Sequence, residues 1–125
     1  MHEVSIAFNL VESAEAAARQ AGATQVKAVH LRLGRLAGVV GDALQFGYDI
    51  AAKGTLLEGS RLVIEALPAV IFCDTCKCEV ELPDVQMFCC PRCGKTSRQL
   101  RQGKEIEIRA IEIEVDAAVE PLKQP

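Results

Sequence analysis

Aromatic side chains are scarce in this sequence of 125 residues, which contains four Phe, one Tyr and no Trp. A hydrophobic core must therefore consist mainly of Ala, Val, Ile and Leu, and apolar residues make up 50% of the chain. The shortage of stacking side chains disfavours single-stranded nucleic acid as a ligand, because such sites rely on aromatic platforms. A chain of this length forms one domain, or one small domain with an attached module.

Charge of one sign and long hydrophobic runs are also lacking. The formal net charge is −3, so no broad basic field is available to hold nucleic acid electrostatically. The longest apolar runs are far too short to cross a bilayer, which argues against a membrane protein. The first residues, Met-His-Glu-Val-Ser, lack the basic and apolar regions of a signal peptide, so we expect a cytoplasmic protein.

Cysteine, in contrast, is abundant, and all six cysteines lie between Cys73 and Cys93. Three disulfides would need an oxidising compartment, so metal binding is the better interpretation. The cysteines include two C-x-x-C pairs, and two such turns that face each other present four thiolates tetrahedrally to one zinc ion. The predicted zinc ligands are Cys73, Cys76, Cys90 and Cys93.

Two alternatives for the cysteines stay open. Cys78 and Cys89 lie beside the pairs and compete as ligands, although the spacing favours the other four and leaves these two as free thiols. A thioredoxin-like redox motif needs only one C-x-x-C pair, at the start of a helix that follows a strand. Because four thiolates leave no open coordination position, we expect a structural zinc site and no hydrolytic enzyme.

Two helices are predicted before the cysteines. The first covers residues 5–21 with Ser5 as its N-cap, and its apolar face consists of Ile6, Leu10, Ala14, Ala17 and Ala21. The second begins at Asp42, which caps it together with Gln45 in a variant capping box, and Gly54 ends it. The apolar face of this second helix consists of Leu44, Tyr48 and Ala51.

Alternation of apolar and polar residues predicts strands over residues 25–33, 62–66 and 105–115. In the last strand the apolar parity changes near Arg109, which a bulge or a strong twist explains. A lone strand cannot bury itself, so we expect the last one to return to the first sheet. The predicted fold is α+β, a small mixed β-sheet with two helices and a zinc-ribbon-like four-cysteine module inserted before the last strand.

The same pattern predicts the division of the chain into domains. Residues 1–68 together with 102–118 form one α+β domain, residues 69–101 form a zinc-binding domain, and residues 119–125 form a flexible tail. The connections between the domains fall near Pro68 and within the polar, turn-forming segment that precedes Gly103.

Histidine is rare, and its two positions are His2 and His30. The α-amine of Met1, the amide nitrogen of His2 and its imidazole can hold one ion in fused chelate rings, to which Glu3 adds a further donor. Nitrogen-rich tetragonal sites of this kind suit Ni(II) and Cu(II). A frayed terminus without a metal is the alternative, and His30 is expected to face outward beside Arg32.

The order and spacing of these features resemble the HypA/HybF family of hydrogenase maturation nickel metallochaperones. The resemblance covers roughly residues 1–115. It rests on the start Met1-His2-Glu3, the helix that begins at Asp42, residues 54–59, the two C-x-x-C pairs and residues 107–113.

The resemblance implies a protein that is not an enzyme and that binds nickel as cargo at Met1, His2 and Glu3, with His2 as the essential donor. It implies delivery to the large subunit of NiFe-hydrogenase, cooperation with the hydrogenase-accessory GTPase and, in some bacteria, a role in urease nickel loading. Asp42 is the nearest match to an acidic residue that serves some members as an auxiliary nickel ligand. The family's zinc ligands correspond to the four cysteines named above.

A different class of function is the alternative: a zinc-ribbon module that binds protein or nucleic acid. The residues that favour it form a modest basic cluster beside the second C-x-x-C pair, Arg92, Lys95, Arg98 and Arg101. Only Phe88 accompanies them as a stacking side chain, so a partner protein fits this cluster better than nucleic acid does. The exposed edge of a small sheet leaves a homodimer open as well.

Overall fold

A computed structural model of the chain describes residues 2–83 and 88–115. In chain order its elements are α1 (His2–Gln20), β1 (Ala23–Gly34), α2 (Gly41–Ala52), β2 (Arg61–Leu67), β3 (Val70–Cys73), β4 (Cys78–Glu81), β5 (Leu100–Gln102) and β6 (Ile106–Val115). Two helices combined with small sheets confirm the predicted α+β class. The tail predicted at residues 119–125 lies outside the described residues.

Helix α1 begins at His2, so the prediction that Ser5 caps it is wrong. At helical spacing it buries a stripe of small and aliphatic side chains, namely Ala7, Leu10, Val11, Ala14 and Ala18. Of the predicted face, Ala17 and Ala21 are exposed. The helix contains many alanines, which mark a buried face weakly. The predicted face is therefore displaced by one residue at several positions, for example Ala17 in place of Ala18.

Helix α2 begins at Gly41, and its N-cap residue Val40 makes no side-chain capping bond. The predicted capping box is therefore wrong. Asp42 lies in the first turn, where a negative charge favours the positive end of the helix dipole, and Gln45 Nε2 donates to the Leu62 carbonyl at 2.8 Å. The predicted apolar face is confirmed, because Leu44, Tyr48 and Ala51 are buried.

The first sheet has three strands in the order β2-β1-β6. The prediction that the last strand returns to this sheet is confirmed, since β6 pairs with β1. Within β1 the predicted inward residues Val29, Leu31 and Leu33 are buried. In β6 the half-buried residues are Ile108, Ile111 and Ile113, which confirms the change of parity in the middle of the strand.

The second sheet also has three strands, in the order β4-β3-β5, and β3 pairs antiparallel with both neighbours. Its register places Val70 opposite Glu81 and Cys73 opposite Cys78. None of these strands was predicted from the sequence, because each has only three or four residues and too few alternations to give a signal. They bring the cysteines together.

The chain divides into two compact units. The first unit comprises Met1–Leu31, Val40–Val63 and Ile108–Pro125, and the second comprises Arg32–Val39 and Ile64–Glu107. The domain boundaries expected near residues 68 and 102 stay a prediction. Within residues 2–83 and 88–115, no helix is long and apolar enough to span a membrane.

Candidate functional site

The four cysteines of the two C-x-x-C pairs form one cluster in the second unit. Their sulfur atoms all lie within 4.8 Å of one another. Cys73 Sγ is 3.5 Å from Cys93 Sγ, and Cys76 Sγ is 3.9 Å from Cys90 Sγ. A tetrahedral ion with Zn–S bonds of about 2.3 Å separates its sulfur ligands by about 3.8 Å. The spacing and the donor set therefore fit a structural metal such as zinc.

The two C-x-x-C pairs adopt matching turns. The residue after each pair has a left-handed backbone, with φ of 58° at Lys77 and 79° at Gly94. In each turn the amide of that residue donates to the carbonyl of the first cysteine, Lys77 N to Cys73 O at 2.7 Å and Gly94 N to Cys90 O at 2.8 Å. This tight loop points both sulfurs of a pair to the same side, so each pair presents two ligands to one ion.

Backbone pairing fixes both turns in place. The first turn joins β3 to β4, where Cys73 lies opposite Cys78. The second is closed by an antiparallel bridge between Cys89 and Thr96 and by the bond from Cys90 N to the Lys95 carbonyl at 2.8 Å. Each turn thus ends a short hairpin, which limits how far the sulfurs can move apart.

The ligands themselves are part of a small apolar core. Cys73 and Cys90 are 2% and 1% exposed, and they share a cluster with Ala69, Ile71, Val80 and Leu82. Ser97 Oγ donates to the Phe72 carbonyl at 2.6 Å, which attaches the segment after the second turn to β3. With so few buried apolar side chains, we expect a bound metal to contribute to holding the two turns together.

The cysteine pKa values are shifted in opposite directions. Burial and hydrogen bonds with the neighbouring thiols raise the pKa of Cys76 to about 12. Burial opposes ionisation of Cys90 as well, but hydrogen bonds from the backbone amides of Cys93 and Arg92 outweigh it and lower its pKa to about 7. Four sulfurs so close together cannot all ionise unless a cation offsets their charge. A bound dication would supply that charge.

Cys78 and Cys89 lie outside the four-sulfur group, and both are partly buried. Cys78 Sγ accepts a hydrogen bond from Arg92 Nη1 at 3.3 Å. A second basic residue beside the second turn is also engaged, because Arg101 lies 3.8 Å from Glu79 and 4.9 Å from the centre of the Phe72 ring. Two of the four residues of the predicted basic cluster, Arg92 and Arg101, are therefore engaged in contacts within the chain.

The N-terminal residues lie close to the start of α2 in the first unit. Glu3 Oε2 accepts a hydrogen bond from the backbone N of Val40 at 3.1 Å, which places this carboxylate at the beginning of that helix. Asp42 is exposed two residues further along. Of the other predicted nickel donors, Met1 lies outside the described residues, and for His2 only its place at the start of α1 is described.

Comparison with known proteins identifies the family. The family model for hydrogenase/urease nickel incorporation, metallochaperone, hypA matches residues 1–113. The hydrogenase maturation factor HypA of Roseiflexus sp. (strain RS-1) is 56% identical over 116 residues, which cover 93% of this chain and 94% of that protein. The HypA of Chloroflexus aggregans is 51% identical over 112 residues, with 90% and 98% covered. The chain belongs to the HypA family.

Solved HypA structures share the fold. The solution structure of the Ni metallochaperone HypA from Helicobacter pylori matches with a TM-score of 0.64 at 16% identity, over 91% of this chain and 98% of that one. A second solution structure of a HypA protein matches with a TM-score of 0.66 at 18% identity, over 93% and 98%. The HypA family is one of nickel-incorporation metallochaperones in hydrogenase maturation, and its fold accommodates the four-cysteine cluster.

One pair of functional groups in this HypA-family chain was not anticipated from the sequence. His30, expected to face outward beside Arg32, is half-buried, and its Nε2 lies 2.6 Å from Glu112 Oε2 on the adjacent strand. The hydrogen bond with His30 lowers the pKa of Glu112. The sequence does contain a signal for this pair, because the outward polar residues of β1 are mainly basic and those of β6 mainly acidic. That signal is useful only once the two strands are known to be neighbours.

Proposed function

We propose that this HypA-family protein binds Ni(II) at its N-terminus through Met1, His2 and Glu3 and delivers it to the large subunit of NiFe-hydrogenase, and in some settings to urease. The observation that carries the proposal is the family match, which begins at Met1 and spans nearly the whole chain. The donor chemistry supports it, because an amine, an amide and an imidazole form a nitrogen-rich site of the kind that Ni(II) prefers.

The proposed site contains few side-chain donors, and this suits a protein that must release its metal. If one donor of a fused chelate is lost, the neighbouring rings loosen, so a partner can take nickel stepwise. Copper binds such a site more tightly than nickel in the Irving–Williams order. Selection for nickel then depends on which metal is available and on which partner receives it.

Glu3 has a second role in this proposal. Its carboxylate accepts the bond from Val40 N, so it holds the first turn of α1 against the start of α2. If Glu3 binds nickel through its side chain, Oε1 can coordinate the ion while Oε2 keeps the bond from Val40 N, and binding through the backbone amide also leaves that bond intact. Asp42, in the first turn of α2, is the proposed auxiliary ligand because Glu3 brings the terminus to that end of the helix.

Zinc has a separate and structural role in the proposal, held by Cys73, Cys76, Cys90 and Cys93. Thiolates suit zinc, and four of them leave no exchangeable position, so the two metals are kept apart by ligand type. We place the protein in the cytoplasm, where thiols stay reduced, and propose the hydrogenase-accessory GTPase as its partner in nickel handover.

A calorimetric nickel titration tests the proposal. The zinc-loaded protein with its native N-terminus is expected to bind one nickel, and His2→Ala to weaken binding by about a hundredfold. The matched control is His30→Ala, which removes the other histidine and leaves nickel affinity unchanged. Added residues before Met1 abolish the chelate and act as a second test. Equal nickel binding by the native, His2→Ala and extended proteins contradicts the proposal.

A further inference from the structure

The two helices expose a strip of large apolar side chains. Val4 and Phe8 on α1 are 39% and 50% exposed, and Phe46 and Ile50 on α2 are 68% and 44% exposed. We call these four residues the apolar strip. Apolar side chains that cluster on a surface mark interaction sites more often than isolated ones do.

The members of the strip lie together on the solvent side of the contact between the helices. Val4 and Phe8 are one turn apart on α1, and Phe46 and Ile50 are one turn apart on α2, so each pair lies on one helix face. The helices meet at Gly47, where an added Cβ would lie 3.3 Å from the Ala7 Cβ and 3.4 Å from the Val4 Cα. Each apolar pair therefore lies beside this close contact, on the exposed surface of its helix.

Carboxylates lie beside the apolar strip on both helices. Glu12 is one turn after Phe8 on α1, and Asp42 and Asp49 are one turn before and after Phe46 on α2. All three are exposed. The basic residues of this region lie toward the far end, where Arg19 pairs with Glu15 at 3.0 Å and Lys53 follows α2. The strip is thus apolar along its centre, and the carboxylates form an acidic rim on each helix.

We propose that the apolar strip is a docking site for an amphipathic helix of a partner protein, one that carries Lys or Arg on both sides of its apolar stripe. Two packed helices with an apolar seam accept a third helix in the helix-in-groove mode. The acidic rims select the charge of that helix, because a basic flank is attracted on both sides. A second copy of this chain brings the same carboxylates and is repelled.

Docking here also brings the partner to the N-terminus. Val4 follows His2 by two residues, so a helix that covers Val4 lies beside the proposed nickel donors. The docking inference itself needs no metal and does not depend on the proposed function. Its test can therefore be made without nickel, and the two ideas can fail separately.

A titration with designed peptides tests the docking site. The probes are two peptides of about 18 residues, long enough to form a helix, each with leucines at i, i+3, i+4 and i+7 positions and with either lysines or glutamates on the flanks. The zinc-loaded, nitrogen-15-labelled chain is titrated and its amide shifts are followed. The lysine peptide is expected to shift amides of residues 4–12 and 42–53, and to bind about tenfold or more tighter than the glutamate peptide.

Variants of the chain test whether the apolar strip and its carboxylates determine which peptide binds. Phe46→Ser is expected to weaken the lysine peptide by about tenfold, and the double variant Glu12→Lys with Asp49→Lys to reverse the preference between the two peptides. Val115→Ser is the matched control, since Val115 is 46% exposed on β6 and lies outside the strip. Unchanged fluorescence of Tyr48, the sole tyrosine, shows that each variant keeps its fold.

Four outcomes overturn the inference. The first is that the lysine peptide does not bind, and the second is that it binds Phe46→Ser as tightly as it binds the native chain. The third is a dimer in sedimentation velocity that Phe46→Ser dissolves, which assigns the strip to a second copy. The fourth is binding to phosphatidylcholine vesicles that Phe46→Ser abolishes, which assigns it to a lipid surface.

Discussion

The first unit fully buries large side chains, among them Leu31 on β1, Leu44 and Tyr48 on α2, and Leu57 in the turns that follow α2. Among the described residues of the second unit, the buried cluster has six members, and two of them are cysteines of the four-sulfur group. We therefore expect the first unit to fold on apolar burial alone and the second to need a bound metal as well. This contrast fits the proposal that the chain holds zinc for structure in the second unit and carries nickel at its terminus in the first.

Removal of the cluster metal should give the largest effect. Cys90→Ser, or exhaustive chelation, is expected to unfold the segment between β3 and β5, because zinc binding contributes on the order of 10 kcal/mol or more to such folds. Zinc content and amide shifts of residues 70–102 measure the loss, while Tyr48 fluorescence reports on the first unit and should stay unchanged. Cys78→Ser is the control, since Cys78 lies outside the four-sulfur group.

A core truncation in the first unit should give the reverse pattern. Leu44 is fully buried, so Leu44→Ala is expected to destabilise this unit by about 2–5 kcal/mol in urea unfolding followed by Tyr48 fluorescence. Zinc content should not change. Ile50→Ala, on the same helix at 44% exposure, is the control with a much smaller expected loss. Release of zinc by Leu44→Ala would show that the units do not fold independently.

A smaller effect is expected from the hydroxyl of Tyr48. It lies 2.6 Å from Ser60 Oγ, and Tyr48→Phe removes this hydrogen bond while it keeps the ring. The expected cost is about 1 kcal/mol, because a neutral hydrogen bond contributes that much net. Circular dichroism in urea measures it, since the variant has no tyrosine. If Ser60→Ala costs the same and the double variant costs no more, the bond is the cause.

The smallest expected effect is the pH dependence of Glu112. His30 lowers the pKa of this carboxyl in the folded state, so the pair stabilises the fold above the unfolded pKa of about 4.3 and the contribution is lost as pH falls through the lower folded value. Thermal unfolding of the native chain and of Glu112→Gln should differ at pH 6, and the difference should shrink as the pH falls through the folded pKa of Glu112. A difference that stays constant as the pH falls would show that the carboxylate charge is not the cause.

The helices and the long strands were predictable because periodicity accumulates over many residues. Leu44, Tyr48 and Ala51 fall on one face by spacing alone, and the alternation of Val29, Leu31 and Leu33 marks a strand. The helix starts were not predictable, because Ser5 and Asp42 are good caps in isolation but the chain already turns helical at His2 and Gly41.

Some features of the candidate sites could likewise be predicted from the sequence, and others could not. The four cysteines were predictable because ligand spacing within a turn is a local property. The contacts of Glu3 with Val40 and of His30 with Glu112 were not, since each joins residues far apart in the sequence, and only the packing of α1 on α2 and of β6 on β1 brings them together.

X-ray absorption at the nickel edge, on protein loaded with one zinc and one nickel, tests whether the two metals occupy separate sites. We expect nickel scattering from nitrogen and oxygen neighbours only, with zinc retained at four sulfurs and the nickel signal lost in His2→Ala. Nickel–sulfur scattering accompanied by displaced zinc would contradict this expectation, because the cargo would then occupy the structural cluster.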